Sequence, residues 1–181
     1  MLRMLTGLAV MAVAVLPHAA FAVGTDDDEP PKPTETTTTC TDGKVWDEAT
    51  KTCTDAKDAR LNDDTRFRAA RELAYAGQPD AALQVLAAMT EGETGRVLTY
   101  MGFAHRMAGR LEEGQAAYDR ALVLDPGNIL ARSYMGQGFV VQGEIELANL
   151  QLAEIRQRGG AGSWAETALA HAIATGVTYN H

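Results

Sequence analysis

Basic side chains are in short supply in this chain: 16 lysines and arginines stand against 24 aspartates and glutamates, a formal net charge of −8. So acidic a protein gains nothing from neutralising phosphate, which excludes nucleic acid as a natural partner and disfavours anionic membrane surfaces. Cysteine is limited to Cys40 and Cys53, with no histidine nearby. Two thiols do not make a four-ligand metal site, and a twelve-residue interval is too long for a reactive dithiol motif. Histidine is nearly as sparse. His105 reads as a packed side chain rather than a base, His171 lies near the C-terminus and His181 is the last residue. No serine or cysteine stands in a pattern that would let one of these serve as its base. No glycine-rich phosphate loop is present. The carboxylate clusters have structural explanations: Asp26-Asp27-Asp28-Glu29 falls in a proline-rich stretch, Asp63-Asp64 reads as a helix cap, and Glu112-Glu113 suits the positive end of a helix dipole. No catalytic residue, metal site or cofactor is predicted, and the chain reads as a non-enzyme.

Long apolar runs are missing too, except at the start. Met4–Leu16 is mainly apolar, follows Arg3 and precedes Ala20-Phe21-Ala22. It is shorter than the roughly 20 residues a membrane span requires. A basic start, a short apolar core and a small-x-small site describe a signal peptide over residues 1–22, cleaved after Ala22. The expectation is a periplasmic or secreted protein with no stable membrane insertion after cleavage. Export puts the two cysteines in an oxidising compartment, where they are expected to form a disulfide. Closing a loop of that size stabilises by about 3 kcal/mol in the chain-entropy model.

Residues 23–39 carry three prolines, an acidic cluster and a threonine run, with almost nothing apolar. That composition predicts a disordered linker. Residues 40–53 hold an Asp42-Gly43 turn pair, a strand-like Lys44-Val45-Trp46 and a reversal at Asp47–Thr50, a small disulfide-closed hairpin. Trp46 has two readings: it covers the disulfide or docks on the body, or it is exposed to stack on a sugar ring.

From about Leu61 the texture becomes alanine, leucine, arginine, glutamate and methionine at helical periodicity. An internal repeat is present. Tyr100-Met101-Gly102 returns as Tyr134-Met135-Gly136, an offset of 34, and at the same offset Gly109 matches Gly143, Leu111 matches Ile145 and Glu112 matches Glu146. Leu98, Gly102, Tyr118, Ala121 and Pro126 give the middle unit its apolar, small, aromatic, small and proline positions, with Gly109 at the turn and Asp125-Pro126-Gly127 as the stop. The third unit keeps Gly136, Phe139, Gly143 and Ala148 but ends on Gly159-Gly160. An earlier, more degenerate unit has Ala70 near the small position, Tyr75-Ala76-Gly77 at the turn and an apolar face of Leu83, Val85, Leu86 and Met89. Ser163-Trp164-Ala165-Glu166 then fits a capping box opening one last helix, about 164–174, with Trp164 as core packing.

Period and residues together resemble the tetratricopeptide repeat family over roughly residues 63–160. The resemblance implies an all-α fold: a right-handed solenoid of about three helix pairs (63–94, 95–128 and 129–160) plus a C-terminal capping helix over 163–175. It also implies that the first helices line a concave groove receiving a protein or peptide. By periodicity the groove positions are Phe67, Arg71, Arg96, Thr99, Phe103, Arg106, Leu130, Ser133, Gln137 and Val140. Their arginines suit a partner segment bearing acidic or C-terminal carboxylate groups. They suit equally well ion pairs with the chain's own acids, or occupancy of the groove by the chain's acidic residues 26–29. An array with an open end also allows a homodimer. The expected function is a protein-interaction adaptor; the alternative is an envelope carbohydrate-binding protein using Trp46.

Overall fold

The structure is a computed structural model and describes residues 29–178. The expected signal peptide, linker residues 23–28 and His181 lie outside the described residues. The body is helical, with elements in the order α1 (Glu35–Thr38), β1 (Val45–Asp47), β2 (Thr52–Thr54), α2 (Asp63–Tyr75), α3 (Pro79–Ala87), α4 (Gly95–Met107), α5 (Leu111–Leu124), α6 (Ile129–Gln142), α7 (Ile145–Gln157) and α8 (Trp164–Thr175). Helices α2/α3, α4/α5 and α6/α7 pack as pairs; α2, α4, α6 and α8 are successive neighbours, forming a first-helix layer backed by α3, α5 and α7. This is the helical repeat solenoid that the 34-residue offset predicts.

Local chemistry explains the helix boundaries. Asn62, Thr94, Asn128 and Ser163 are the N-caps of α2, α4, α6 and α8, each accepting a backbone N–H with its side chain. Pro79 starts α3, where its missing N–H costs nothing. Asp63-Asp64 is corrected in one respect: Asn62 is the cap, and Asp63 in the first turn does something else. Its carboxylate accepts from Thr90 N (2.9 Å), the Thr90 hydroxyl (2.8 Å), Glu91 N (2.8 Å) and Arg66 Nη1 (2.9 Å). It therefore pins the α3–α4 loop to the start of α2. Desolvation works against its charge, but these donors outweigh it and hold Asp63 at about 2.

Close packing inside a pair needs small residues. A Cβ on Gly102 would stand 2.4 Å from Tyr118 Cε1, so α4 and α5 meet there only because glycine has no side chain. Gly136, at the same repeat position, would meet Leu169 Cδ2 at 2.6 Å, a contact with α8 rather than with its own partner helix. Helix α8 therefore packs as a further first helix would, burying Ala165, Ala168, Leu169 and Ala172. Its start departs slightly from the capping-box expectation. Ser163 accepts from Glu166 N (3.2 Å), while Glu166 reaches back to Gly162 N (2.7 Å) and takes Arg156 Nε (2.6 Å).

The N-terminal region is more structured than its composition predicts. The linker reading is corrected from Thr34 onward: Glu35–Thr38 is a helical turn against α2. Its donors converge on Glu72. Thr34 N and Thr34 Oγ1 each lie 2.6 Å from that carboxylate, Thr37 N lies at 3.2 Å, and the Thr37 hydroxyl also donates to it. The hairpin pairs Val45 with Thr54, Trp46 with Cys53 and Asp47 with Thr52, and the Cys40–Cys53 disulfide ties it to the end of the turn. Val45, only 1% exposed, joins Ala56 and Leu61 in the main core; Trp46 beside the disulfide is half-buried. Arg66 braces the connection to α2 by donating to Ala56 O (2.7 Å) and Asp58 O (2.9 Å).

Candidate interaction face

The first-helix layer carries a continuous aromatic seam. Phe67 of α2 meets Tyr100 of α4 edge-on at 5.3 Å; Tyr100 meets Tyr134 of α6 at 5.9 Å; Phe103 stacks on Tyr134 at 4.6 Å; Tyr134 meets Trp164 of α8 at 6.0 Å. Each such pair adds about 0.5–1.5 kcal/mol beyond its buried area. Hydroxyls run through the seam: Tyr75 and Tyr134 share a 2.7 Å hydrogen bond, and Arg71 Nε donates to Tyr100 Oη at 2.9 Å. Desolvation pushes the Tyr134 phenol well above its usual range.

The candidate groove residues fall on this layer, and their surroundings separate them. Phe67, Thr99, Phe103, Leu130, Ser133, Gln137 and Val140 are all buried. Thr99 donates to Gly95 O (2.7 Å) and accepts from Asn128 Nδ2 (3.0 Å), joining two repeat units, and Gln137 Nε2 donates to Ser133 Oγ (3.4 Å). These positions support the array from within. Arg96 is taken up by the chain's own acids, bonding Glu91 through Nε (2.7 Å) and Nη2 (2.8 Å) and Asp64 through Nη1 (2.8 Å), with its guanidinium 4.8 Å from the Phe67 ring. Arg71, 5% exposed, spans from Tyr100 to the backbone of the N-terminal segment, donating from Nη2 to Glu29 O at 2.8 Å.

Arg106 is different. It is 3% exposed, yet Nε, Nη1 and Nη2 have no hydrogen-bond partner, and among the described residues no carboxylate pairs with it. Its guanidinium lies 5.3 Å from the Phe103 ring centroid. A Cβ on Gly138 of α6 would come within 3.4 Å of its Cδ, and one on Gly114 of α5 within 3.6 Å of its Cβ, so the side chain lies where α4, α5 and α6 meet. The Tyr118 hydroxyl, also buried, is likewise without a partner. Desolvation pushes that phenol up to about 12, partly opposed by Arg106. A buried, unpaired charge costs several kcal/mol unless something neutralises it. Periodicity could place Arg106 on this face. Its lack of a partner, and the Tyr118 hydroxyl beside it, depend on the packing of three helices and carried no sequence signal.

His105 Nδ1 accepts from Arg110 Nε at 3.0 Å, and desolvation, helped by Arg110, lowers its pKa. Among the described residues no group of three potential metal ligands comes together, and no helix is long and apolar enough to cross a membrane. With the geometry in view, comparison with known families adds one match: residues 95–128, the α4/α5 unit, match the tetratricopeptide repeat. The match covers this one helix pair, which is similar to a tetratricopeptide repeat. Its bounds coincide with the middle unit marked out by Gly102, Gly109 and Pro126. No curated protein and no solved structure matches the chain. Tetratricopeptide repeats generally mediate protein–protein interaction and typically serve as scaffolds rather than enzymes.

Proposed function

We propose that this chain is an exported, non-enzymatic adaptor that holds a segment of a partner protein against its first-helix layer, with Arg106 receiving an acidic or C-terminal carboxylate of that segment. The observation that carries the reading is the buried guanidinium of Arg106, which has three unpaired nitrogens while Arg96 and Arg71 are engaged. A carboxylate matches the guanidinium fork in geometry and charge. The Cys40–Cys53 disulfide supports an oxidising location, periplasmic or secreted. Calorimetric titration with a glutamate-rich peptide and its glutamine counterpart tests the reading. The glutamate peptide is expected to bind the wild type, and Arg106→Gln or loss of the peptide charge to weaken that binding tenfold or more, as expected when one partner of a buried charge pair is removed. Equal affinity in all combinations rejects it.

A further inference from the structure

Helices α4 and α5 meet through a reciprocal exchange of glycines and long polar side chains. On α4, Gly102 and Arg106 lie one turn apart on the same face; on α5, Gly114 and Tyr118 do the same. A Cβ on Gly102 would stand 2.9 Å from Tyr118 Cζ, and one on Gly114 would stand 3.3 Å from the backbone N of Arg106 and 3.6 Å from its Cβ. Each helix thus omits a side chain where the other lays a long one against it. Both long side chains are buried, and both end in polar atoms without a hydrogen-bond partner: the three Arg106 nitrogens and the Tyr118 hydroxyl.

Packing alone does not call for those ends. Phenylalanine would fill the contact with Gly102 as well as tyrosine does, without burying an unpaired hydroxyl. Desolvation pushes the Tyr118 phenol up to about 12, with the Arg106 charge acting against it. The phenol therefore keeps its proton at neutral pH and stands as a donor within the field of the guanidinium. Two donors, one of them charged, call for an anion with more than one acceptor oxygen. A carboxylate offers about four lone-pair sites, enough for a guanidinium fork and a hydroxyl together. We propose that Tyr118 is the second recognition residue of the Arg106 site, its hydroxyl donating to the same partner carboxylate that the guanidinium pairs with. The proposal rests on the reading of Arg106 as a carboxylate receptor. It adds that the carboxylate is held from two helices at once, Arg106 on α4 and Tyr118 on α5, so that binding fastens one to the other.

The test uses the full chain and Tyr118→Phe, which removes one oxygen and keeps the ring against Gly102. Calorimetric titration with the glutamate-rich peptide is expected to show about tenfold weaker binding to Tyr118→Phe, as for the loss of a hydrogen bond to a charged group. Without peptide, the urea midpoint of Tyr118→Phe should equal or exceed that of the wild type, because the hydroxyl removed has no partner in the free protein. Saturating peptide should slow amide exchange in α5 of the wild type and do so less in Tyr118→Phe. Equal peptide affinity in the two chains, with binding lost in Arg106→Gln, overturns the role of Tyr118 and leaves the Arg106 reading standing. A lowered urea midpoint in Tyr118→Phe without peptide also overturns it, since the hydroxyl then serves the fold. If the wild type does not bind the peptide, both readings fail.

Discussion

At its N-terminal end the array is closed by polar contacts and a covalent link: four donors from Thr34 and Thr37 gather on Glu72, Arg66 holds two loop carbonyls, and Cys40–Cys53 fastens the hairpin that delivers Val45 to the core. At its C-terminal end closure is apolar and helical: α8 lays Ala165, Leu169 and Ala172 onto α6 and α7 and brings Trp164 to the aromatic seam. Both ends solve one problem, since a repeat buries its inner faces only against neighbours and the outermost units lack one. A short threonine-rich segment has little apolar surface, so its order has to come from hydrogen bonds and a cross-link. An alanine- and leucine-rich helix can rely on packing alone.

This difference predicts different failures. Leu169→Ala should cost about 3–4 kcal/mol, because a fully buried leucine wedged against Gly136 leaves a cavity. Hydrogen exchange should speed up in α6–α8 and stay unchanged at Thr34–Thr54. Removing the disulfide with Cys40→Ser/Cys53→Ser should cost about 3 kcal/mol in urea unfolding, with exchange rising in the hairpin and α1 while α8 keeps its protection. If either variant loosens both ends equally, the two closures are not independent.

A smaller effect separates the loop clasp from both ends. Asp63 is held at about 2, below the ordinary aspartate value of 3.8, so its contribution is fully present above pH 4 and is lost as pH falls through about 2. Asp63→Asn should lower stability by about 1–2 kcal/mol at pH 7 and match the wild type near pH 2; a constant gap across that range would show that the ionised form is not what matters.

The architecture was largely legible in the sequence because it rests on local, periodic signals. Gly102 and Gly136 at close approaches, Gly109 and Gly143 with left-handed backbone at the turns, and Ser163 at a cap each do their work within one or two turns of chain. The N-terminal closure was not legible. Thr34 and Thr37 find Glu72 across 38 and 35 residues, and polar composition alone could not announce those partners. The same limit applies to the interaction face. Periodicity grouped Arg71, Arg96 and Arg106 together, and only the packing distinguishes Arg96, saturated by Glu91 and Asp64, from Arg106, enclosed by α4, α5 and α6 with no acid paired to it among the described residues.

The most direct measurement is quantitative capture of partner proteins, by crosslinking in the cells that make this chain, with the wild type, Arg106→Gln and a control on the opposite layer, Val123→Ser. Val123 lies on α5 and is 81% exposed. The account predicts that the proteins captured by the wild type fall about tenfold or more with Arg106→Gln and persist with Val123→Ser. Undiminished capture by a folded Arg106→Gln chain would contradict it.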